Sequence, residues 1–335
     1  MKVLGINSKL TFCGKIIDSH AHIGIHEGVN YTKSDLDVFI KSGLKDDTVE
    51  KFIVSDIDVL HGAKGEYSGN SQTLNVLKGD KHYALLASCN PKEGNINEIK
   101  KLFTEHPKSF AGLKFHPEIQ QLEITDSLYR PYFEFACKHN LPCLFHTAVN
   151  TDSNGKLISE INRFSDPEIV YNMAKKYKTT PFVMAHMGAG WKEAHDKTIG
   201  VLLNSIKNKD ANLYADISWV DIDAPNKDHI VRAIKELKGI GESDWNFGDM
   251  SCKLMFGTDA PLARFKSENA LKDYSSFVED IKTAIRKDKD LKNDAEKIIE
   301  DLFYNNAKNL YLNRICTKKT TNGMFSFLKF MVRYV

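Results

Sequence analysis

Residues 15–22 read KIIDSHAH, an apolar β-branched start that ends on Asp18, His20 and His22. Side chains two apart on a strand point to the same face, so we expect His20 and His22 to project together. Asp18 is predicted to share that face deeper in the fold and to orient a neighbouring side chain. An apolar strand that closes on polar residues is typical of a parallel α/β barrel, whose strand ends open onto one chemical face.

Four further apolar runs end in the same way. They are GLKFHP with Lys114 and His116, LPCLFHTA with His146, FVMAHMG with His186, and LMFGTDAP with Asp259. Several imidazoles and a carboxylate at one point are the ligand types that zinc or a similar divalent ion takes. The strand ends therefore predict a metal site.

The spacing of these runs predicts the fold class. Apolar strand candidates cover residues 15–18, 51–57, 83–88, 110–115, 142–146, 181–186, 212–218 and 253–258. Their repeat, roughly 30 to 40 residues, is that of a (β/α)₈ TIM barrel. A doubly wound open sheet is the rival fold, but it would not require histidines at the ends of so many successive strands.

Helical periodicity occupies the intervals between these strands. Helices are predicted over residues 97–104, 127–139, 168–177, 268–286 and 291–312. Asp166 and Pro167 are typical of an N-cap followed by a first-turn proline. The long interval 27–47 is interpreted as a lid or a helical insertion over the barrel mouth.

The barrel is assigned to residues 1–315 and a C-terminal tail to residues 316–335. The tail is a polar spacer followed by an apolar, basic run of about 11 residues, which is shorter than the roughly 20 that span a bilayer. We expect it to pack on the barrel or on a neighbouring subunit, or to stay disordered, rather than to contact a membrane.

Net charge and cysteine content indicate which partners and which cellular compartment to expect. The 46 basic and 44 acidic residues leave a net charge of +2, which indicates no nucleic-acid partner. The six cysteines form no CxxC pair, and no secretory leader is evident, so we expect a reduced, cytoplasmic protein. A small-molecule substrate is the partner that the strand ends predict.

Each candidate has a structural alternative. A lone histidine closing an apolar strand is commonly a core residue bonded to the backbone, but His146 and His186 close two successive strands. Asp259 is either a turn or N-cap residue, or a metal ligand that also serves as general base. The remaining histidines, among them His195 and His229, are assigned to loops or polar helix faces without a role.

The order of these pieces resembles the amidohydrolase superfamily, and within it the amidohydrolase-related group that includes aminocarboxymuconate semialdehyde decarboxylase. The resemblance runs from residue 17 to about residue 312 and rests on DSHAH, GLKFHP, FHT, AHMG, YADIS, FGTDAP and YNNAKNLY. It implies that His20, His22 and His146 bind a metal and that Asp259 binds the metal or the attacking water. His186 would polarise the substrate, or bind a second ion.

The number of metal ions that the resemblance implies depends on the role of Lys114. Some relatives carry a carboxylated lysine that bridges two metals, whereas many in this group keep the lysine and hold one. One ion per chain, zinc by preference, is expected, with Lys114 contacting substrate or Asp18. His116 either lines the pocket beside Lys114 or serves the turn before Pro117.

Two further residues are candidates for substrate binding. Arg264 would clamp a substrate carboxylate, or would be an exposed arginine at a helix start. Trp219 would wall the pocket, or would be ordinary packing at the barrel rim.

The predicted activity is that of a metal-dependent hydrolase, in which an activated water attacks an amide, lactone or related bond. The alternative is a metal-dependent, non-oxidative decarboxylase of aromatic or unsaturated acids. A metal-binding barrel without catalysis is the third reading. The resemblance also admits a homodimer.

Overall fold

A computed structural model describes residues 14–44, 46–62, 69–150, 152, 154, 156–189, 192–220, 228–240, 249–262 and 268–313. Arg264 and the tail 316–335 lie outside these residues. Among the helices in these ranges, none has the length and apolar character needed to cross a membrane.

The described strands form one sheet around the molecule. In chain order they are β1 Gly14–His26, β2 Val29–Tyr31, β3 Asp47–Asp56, β4 Tyr83–Ser88, β5 Phe110–Phe115, β6 Cys143–Phe145, β7 Phe182–Met184, β8 Leu213–Asp216 and β9 Leu254–Met255. β2 pairs with β1 in an antiparallel hairpin, and every other neighbouring pair is parallel. The eight strands expected from the sequence are thus present, several of them shorter than predicted.

Hydrogen bonds between the region of β9 and β1 close the sheet. The amide of Ser19 donates to the carbonyl of Phe256 at 3.1 Å, and the amide of Asp259 donates to the carbonyl of His20 at 2.8 Å. A parallel sheet that closes on itself, with helices between its strands, is a (β/α)₈ barrel. The predicted fold class is confirmed.

A β-bulge in β1 separates Asp18 from the histidines. Asp18 pairs with Phe52 while Ala21 pairs with Val54, so three steps along β1 match two steps along β3. The extra residue reverses the side-chain alternation. Asp18 therefore faces the helix layer, where it accepts from the hydroxyl of Tyr274 at 3.0 Å. The expectation that Asp18 shares the face of His20 is wrong.

Helices fill the intervals between the strands. They are α1 Lys33–Ser42, α2 Ile57–His61, α3 Asn70–Leu77, α4 Ile96–Glu105, α5 Pro117–Gln120, α6 Arg130–His139, α7 Ser159–Ser165, α8 Pro167–Ala174, α9 Lys192–Asn208, α10 Asp228–Leu237, α11 Ala270–Lys287 and α12 Ala295–Glu300. Turns of 3₁₀ helix lie at Ser127–Tyr129, Ala185–Gly188 and Ser251–Lys253, and π-helical turns continue α12 at Asp301–Asn305 and Lys308–Leu312. Asp166 caps α8 by accepting from the amide of Glu168 at 2.8 Å, as predicted.

The segment 27–47 contains β2 and α1. Phe39 of α1 is buried against Phe52 of β3 and Tyr274 of α11, with ring centroids 6.2 and 4.8 Å apart. This segment is therefore a helical insertion packed on the outer wall, and its hairpin reaches the mouth, where Tyr31 meets Ile57 and Leu262.

The barrel interior is apolar below the strand ends. Its inner cluster includes Ile17, Ile53, Leu86, Leu144 and Val183. Because buried apolar side chains exclude water, the polar side chains that follow them sit in a dry environment at the C-terminal ends of the strands.

Candidate metal centre

Three predicted residues meet at the seam between the first and last barrel strands. The Nε2 atoms of His20 and His22 are 3.1 Å apart. Oδ1 of Asp259 lies 3.2 Å from Nε2 of His20 and 3.0 Å from Nε2 of His22. All three side chains are buried.

The other ring nitrogen of each histidine is anchored. Nδ1 of His20 lies 3.1 Å from Oδ2 of Asp216 and 3.1 Å from Oγ of Ser218. Nδ1 of His22 lies 2.9 Å from Oγ of Ser55. These bonds hold both rings so that Nε2 faces the cluster, which is how outer partners orient metal-binding histidines.

The spacing of the three ligand atoms fits a divalent ion. Tetrahedral ligands at zinc distances of about 2.0–2.1 Å would be separated by about 3.3 Å. The observed separations of 3.0 to 3.2 Å lie close to that value. Two imidazole lone pairs and a carboxylate directed at one point repel each other unless a cation lies between them. His20, His22 and Asp259 can therefore hold a metal.

Lys114 of β5 supplies a positive charge at this point. Its Nζ lies 2.7 Å from Nε2 of His20, and the residue is 1% exposed. Burial lowers the pKa of Lys114 to about 8, although Asp259 and Asp216 oppose the shift. Lys114 was expected to contact substrate or Asp18. The expected contact with Asp18 is wrong, because the β-bulge turns Asp18 away from the barrel interior.

His186 and His146 form a second group of imidazoles. His186 is 4% exposed, and its Nε2 lies 3.2 Å from Nδ1 of His146. His146, with a side chain 19% exposed, stacks on His116 at a centroid distance of 3.9 Å. Nδ1 of His116 accepts from the amide of Ile119 at 3.3 Å, so His116 both caps a turn and joins the wall.

Among the described residues, two sets of three bring their ligand atoms within 4.8 Å of one another: His20, His22 and Asp259, and His20, His186 and Asp216. His146 belongs to neither set. Its assignment as a metal ligand stays a prediction.

Burial sets the charge states of these groups. It lowers the pKa of His186 to about 4 and also lowers the pKa values of His20 and His22. Neutral imidazoles keep a lone pair for a metal or a proton. Burial alone would raise the pKa of Asp259, but the positive charge that His20 and His22 carry when they are protonated, together with a hydrogen bond from His22, holds it well below its usual range.

Backbone strain is concentrated at the ends of successive strands. His186 after β7, Trp219 after β8 and Asp259 after β9 have φ values of 61°, 61° and 66°. Left-handed conformations of non-glycine residues cost about 1–3 kcal/mol each and cluster at functional sites. The indole Nε1 of Trp219 donates to Oδ2 of Asp259 at 2.6 Å, so Trp219 contacts the candidate base directly.

No role was predicted for Asp216, Ser218 or Ser55. The YADIS run at residues 214–218 was a signal for the first two, since it ends a strand on polar residues as the other motifs do. Ser55 also follows an apolar run, but no motif spacing distinguishes it from other serines.

The chain belongs to the amidohydrolase family, whose model matches residues 101–312. No curated protein matches the sequence.

Solved structures share the fold over nearly the whole chain. An amidohydrolase from Burkholderia multivorans with bound zinc is 12% identical, with a TM-score of 0.58 and coverage of 89% of this chain and 99% of that one. The 2,6-dihydroxybenzoate decarboxylase from Rhizobium is 12% identical, with a TM-score of 0.56 and coverage of 89% and 98%.

The 5-carboxyvanillate decarboxylase from Novosphingobium aromaticivorans was solved with manganese and 4-hydroxy-3-methoxy-5-nitrobenzoic acid. It is 11% identical, with a TM-score of 0.55 and coverage of 89% of this chain and 96% of that one. Identities this low establish the common fold alone.

Proposed function

We propose that this protein is a metal-dependent hydrolase that directs an activated water at a small organic substrate with an amide, lactone or related bond. The observation that carries the proposal is the convergence of Oδ1 of Asp259 with the Nε2 atoms of His20 and His22. Zinc is the preferred ion because the set combines two nitrogens and one oxygen at tetrahedral spacing.

His20, His22 and Asp259 would hold the ion, and it would supply Lewis-acid activation of a water and of the substrate. Asp259 provides the base. Its Oδ1 faces the reacting centre and accepts the proton of the attacking water, then returns it to the leaving group. Trp219 fixes the second carboxylate oxygen, which leaves Oδ1 in one orientation.

Neutral His186 offers the pocket a lone pair rather than a proton. Its Nδ1 lies 2.7 Å from the hydroxyl of Ser218, and that hydroxyl donates to Asp216. The ring proton of neutral His186 is therefore on Nδ1, and Nε2 carries a lone pair towards the pocket. His186 can polarise a substrate by donation only after it has gained a proton there.

One ion per chain is the proposed stoichiometry. The ammonium of Lys114 already neutralises part of the negative charge beside His20, and it leaves no bridging oxygen for a second ion. A second ion would use the facing nitrogens of His146 and His186 and would require Lys114 to be carboxylated.

A decarboxylase is the second candidate, and the stacked imidazoles favour it. The rings of His116 and His146 stack with their planes within 12° of parallel, and a planar aromatic ring would extend that stack. An ion together with Lys114 would also attract a carboxylate. In this reaction the C–C bond to the carboxylate breaks, CO₂ leaves, and the electron pair takes a proton that comes from solvent water through Asp259 or His186.

The test begins with protein stripped of metal and reloaded with zinc or manganese. Lactones, amides and aromatic carboxylic acids are then assayed, with hydrolysis and CO₂ release scored separately. Hydrolysis without CO₂ release supports the first candidate, and the reverse result supports the second. Protein that regains no metal from either solution would overturn both.

A further inference from the structure

A single buried carboxylate connects the two groups of imidazoles. Asp216, the last residue of β8, has no exposed surface. We propose that Asp216 is a positioning residue that fixes the proton of both His20 and His186 on Nδ1, so that the Nε2 lone pair of His20 faces the candidate metal centre and that of His186 faces His146. The inference rests on the proposed metal-dependent function.

The donors around Asp216 leave one arrangement. Its Oδ1 accepts from the backbone amide of His186 at 3.0 Å and from that of Ser218 at 3.1 Å. Backbone amides only donate, so this oxygen can only accept. Oδ2 remains for Nδ1 of His20, 3.1 Å away, which must donate to it.

The opposite side of His20 agrees with this assignment. Nζ of Lys114 lies 2.7 Å from Nε2 of His20 and is a donor when it is charged. A ring with its proton on Nδ1 satisfies both neighbours. The other tautomer would place a hydrogen against an ammonium group and a lone pair against a carboxylate.

Ser218 extends the same constraint to His186. The hydroxyl of Ser218 has one hydrogen, and it donates that hydrogen to Oδ1 of Asp216. The serine oxygen must then accept from Nδ1 of His186, 2.7 Å away. Asp216 thereby fixes the ring tautomers of His20 in β1 and of His186 in the turn after β7.

Substitution of Asp216 by asparagine tests proton placement with almost no change in shape. The amide oxygen must occupy the position of Oδ1, because the two backbone donors cannot face an NH₂ group. The NH₂ group then faces Nδ1 of His20 and makes it an acceptor, so the ring proton moves to Nε2. Alanine leaves Oγ of Ser218, 3.1 Å from Nδ1 of His20, as the remaining acceptor.

The two substitutions therefore separate positioning from packing. If Asp216 fixes the ring protons on Nδ1, Asp216→Asn lowers the metal affinity more than Asp216→Ala does. If Asp216 only fills space, Asp216→Ala lowers the metal affinity more, because it leaves a cavity.

The experiment uses the full chain. Long-range ¹H–¹⁵N spectra of metal-free, histidine-labelled protein report each ring tautomer, with the His20 signals assigned by their loss in His20→Gln. Zinc affinity is measured by competition with a chromophoric chelator. Asp56→Asn is the control, because Asp56 is a buried carboxylate at the end of β3 that caps α2 through the amide of Asp58 at 2.8 Å.

The wild-type spectrum is expected to show His20 and His186 protonated on Nδ1. Asp216→Asn should move the His20 proton to Nε2 and weaken zinc binding by roughly 10- to 100-fold, the range for outer partners of metal ligands. Asp216→Ala should weaken it less, and Asp56→Asn should leave both readouts unchanged.

Wild-type protein with the His20 proton on Nε2 overturns the inference, whether or not the variants fold. Equal zinc affinity of wild type and Asp216→Asn also overturns it, and leaves the proposed function standing. Wild-type protein that binds no zinc or manganese overturns the proposed function instead, while the tautomers are still read from the metal-free spectra.

Discussion

Trp219 and Asp259 are joined by a hydrogen bond of 2.6 Å from the indole Nε1 to Oδ2 of the carboxylate. Both residues have left-handed backbone conformations at the ends of neighbouring barrel strands. The bond uses the carboxylate oxygen that does not face His20 and His22. It therefore fixes the direction from which Oδ1 approaches the centre.

Trp219→Phe retains an aromatic ring and removes this donor. A hydrogen bond to a charged group contributes about 1.5–3 kcal/mol. We expect kcat to fall by roughly tenfold or more, with little change in thermal stability because Trp219 is 44% exposed. Steady-state kinetics and thermal unfolding measure the two effects, and an unchanged kcat would contradict the role assigned to the bond.

Asp259→Asn should abolish turnover, because the amide cannot accept the proton of the attacking water. The loss expected for a general base is about 10²- to 10⁴-fold. Circular dichroism should show an intact fold. Asp56→Asn is the matched control, a buried carboxylate to asparagine change at a strand end outside the site, and should retain activity. Full activity of Asp259→Asn would show that the base is another residue.

Metal removal should destabilise the protein, since the ion binds only the folded arrangement of His20, His22 and Asp259. Free zinc at 1,000 times its dissociation constant would add about 4 kcal/mol to the free energy of unfolding. Thermal unfolding before and after dialysis against a chelator, and after zinc is restored, measures the difference. An identical melting temperature in all three samples would argue against a metal at this seam.

Lys114→Met should retain one ion per chain, because the three proposed ligands do not include the lysine. We expect its zinc content by mass spectrometry to match that of wild type, since methionine removes the charged amine but keeps an unbranched side chain of nearly the same length. If wild type holds two ions and Lys114→Met holds fewer, the lysine is carboxylated and bridges them.

His195 of α9 makes the free energy of unfolding depend on pH. Burial, helped by the adjacent His229, lowers its pKa from the ordinary 6.5 to about 4. Between these values the unfolded chain binds the proton and the folded chain does not. Stability is therefore lost as the pH falls from 6.5 towards 4, by at most about 3 kcal/mol.

His195→Leu removes this titration. Urea unfolding at pH 5 and at pH 8 should show a smaller loss for the variant than for wild type. The pH 8 values serve as the internal control, since His195 is neutral there in both states and only the packing difference remains. Equal losses in the two proteins would show that other groups cause the acid sensitivity.

The barrel and most of the site were predictable because each strand end carries its own local signal. His20, His22 and Asp259 are all next to apolar runs, and parallel strands bring such ends together. The face of Asp18 was not predictable, since the bulge that turns it outward depends on pairing with β3. His195 was assigned to a polar face but is 3% exposed, because α10 covers it with His229.

Asp216 was missed for a different reason. Its main partner, His20, is 196 positions away in the sequence, and no local pattern connects a carboxylate to an imidazole at that distance. Only the closed sheet brings β8 beside the ring of His20. Outer partners of this kind are found from the structure rather than from motif spacing.

The amide of Asp259 donates to the carbonyl of His20, so the bond that joins the two ends of the sheet also joins two of the proposed ligands. The centre therefore exists only when the sheet is closed, with the C-terminal third of the chain docked against the first strand. A chain still emerging from the ribosome would have His20 and His22 but no complete binding set. Bound metal would then report that the seam is closed, and opening of the seam would separate the ligands and release the ion.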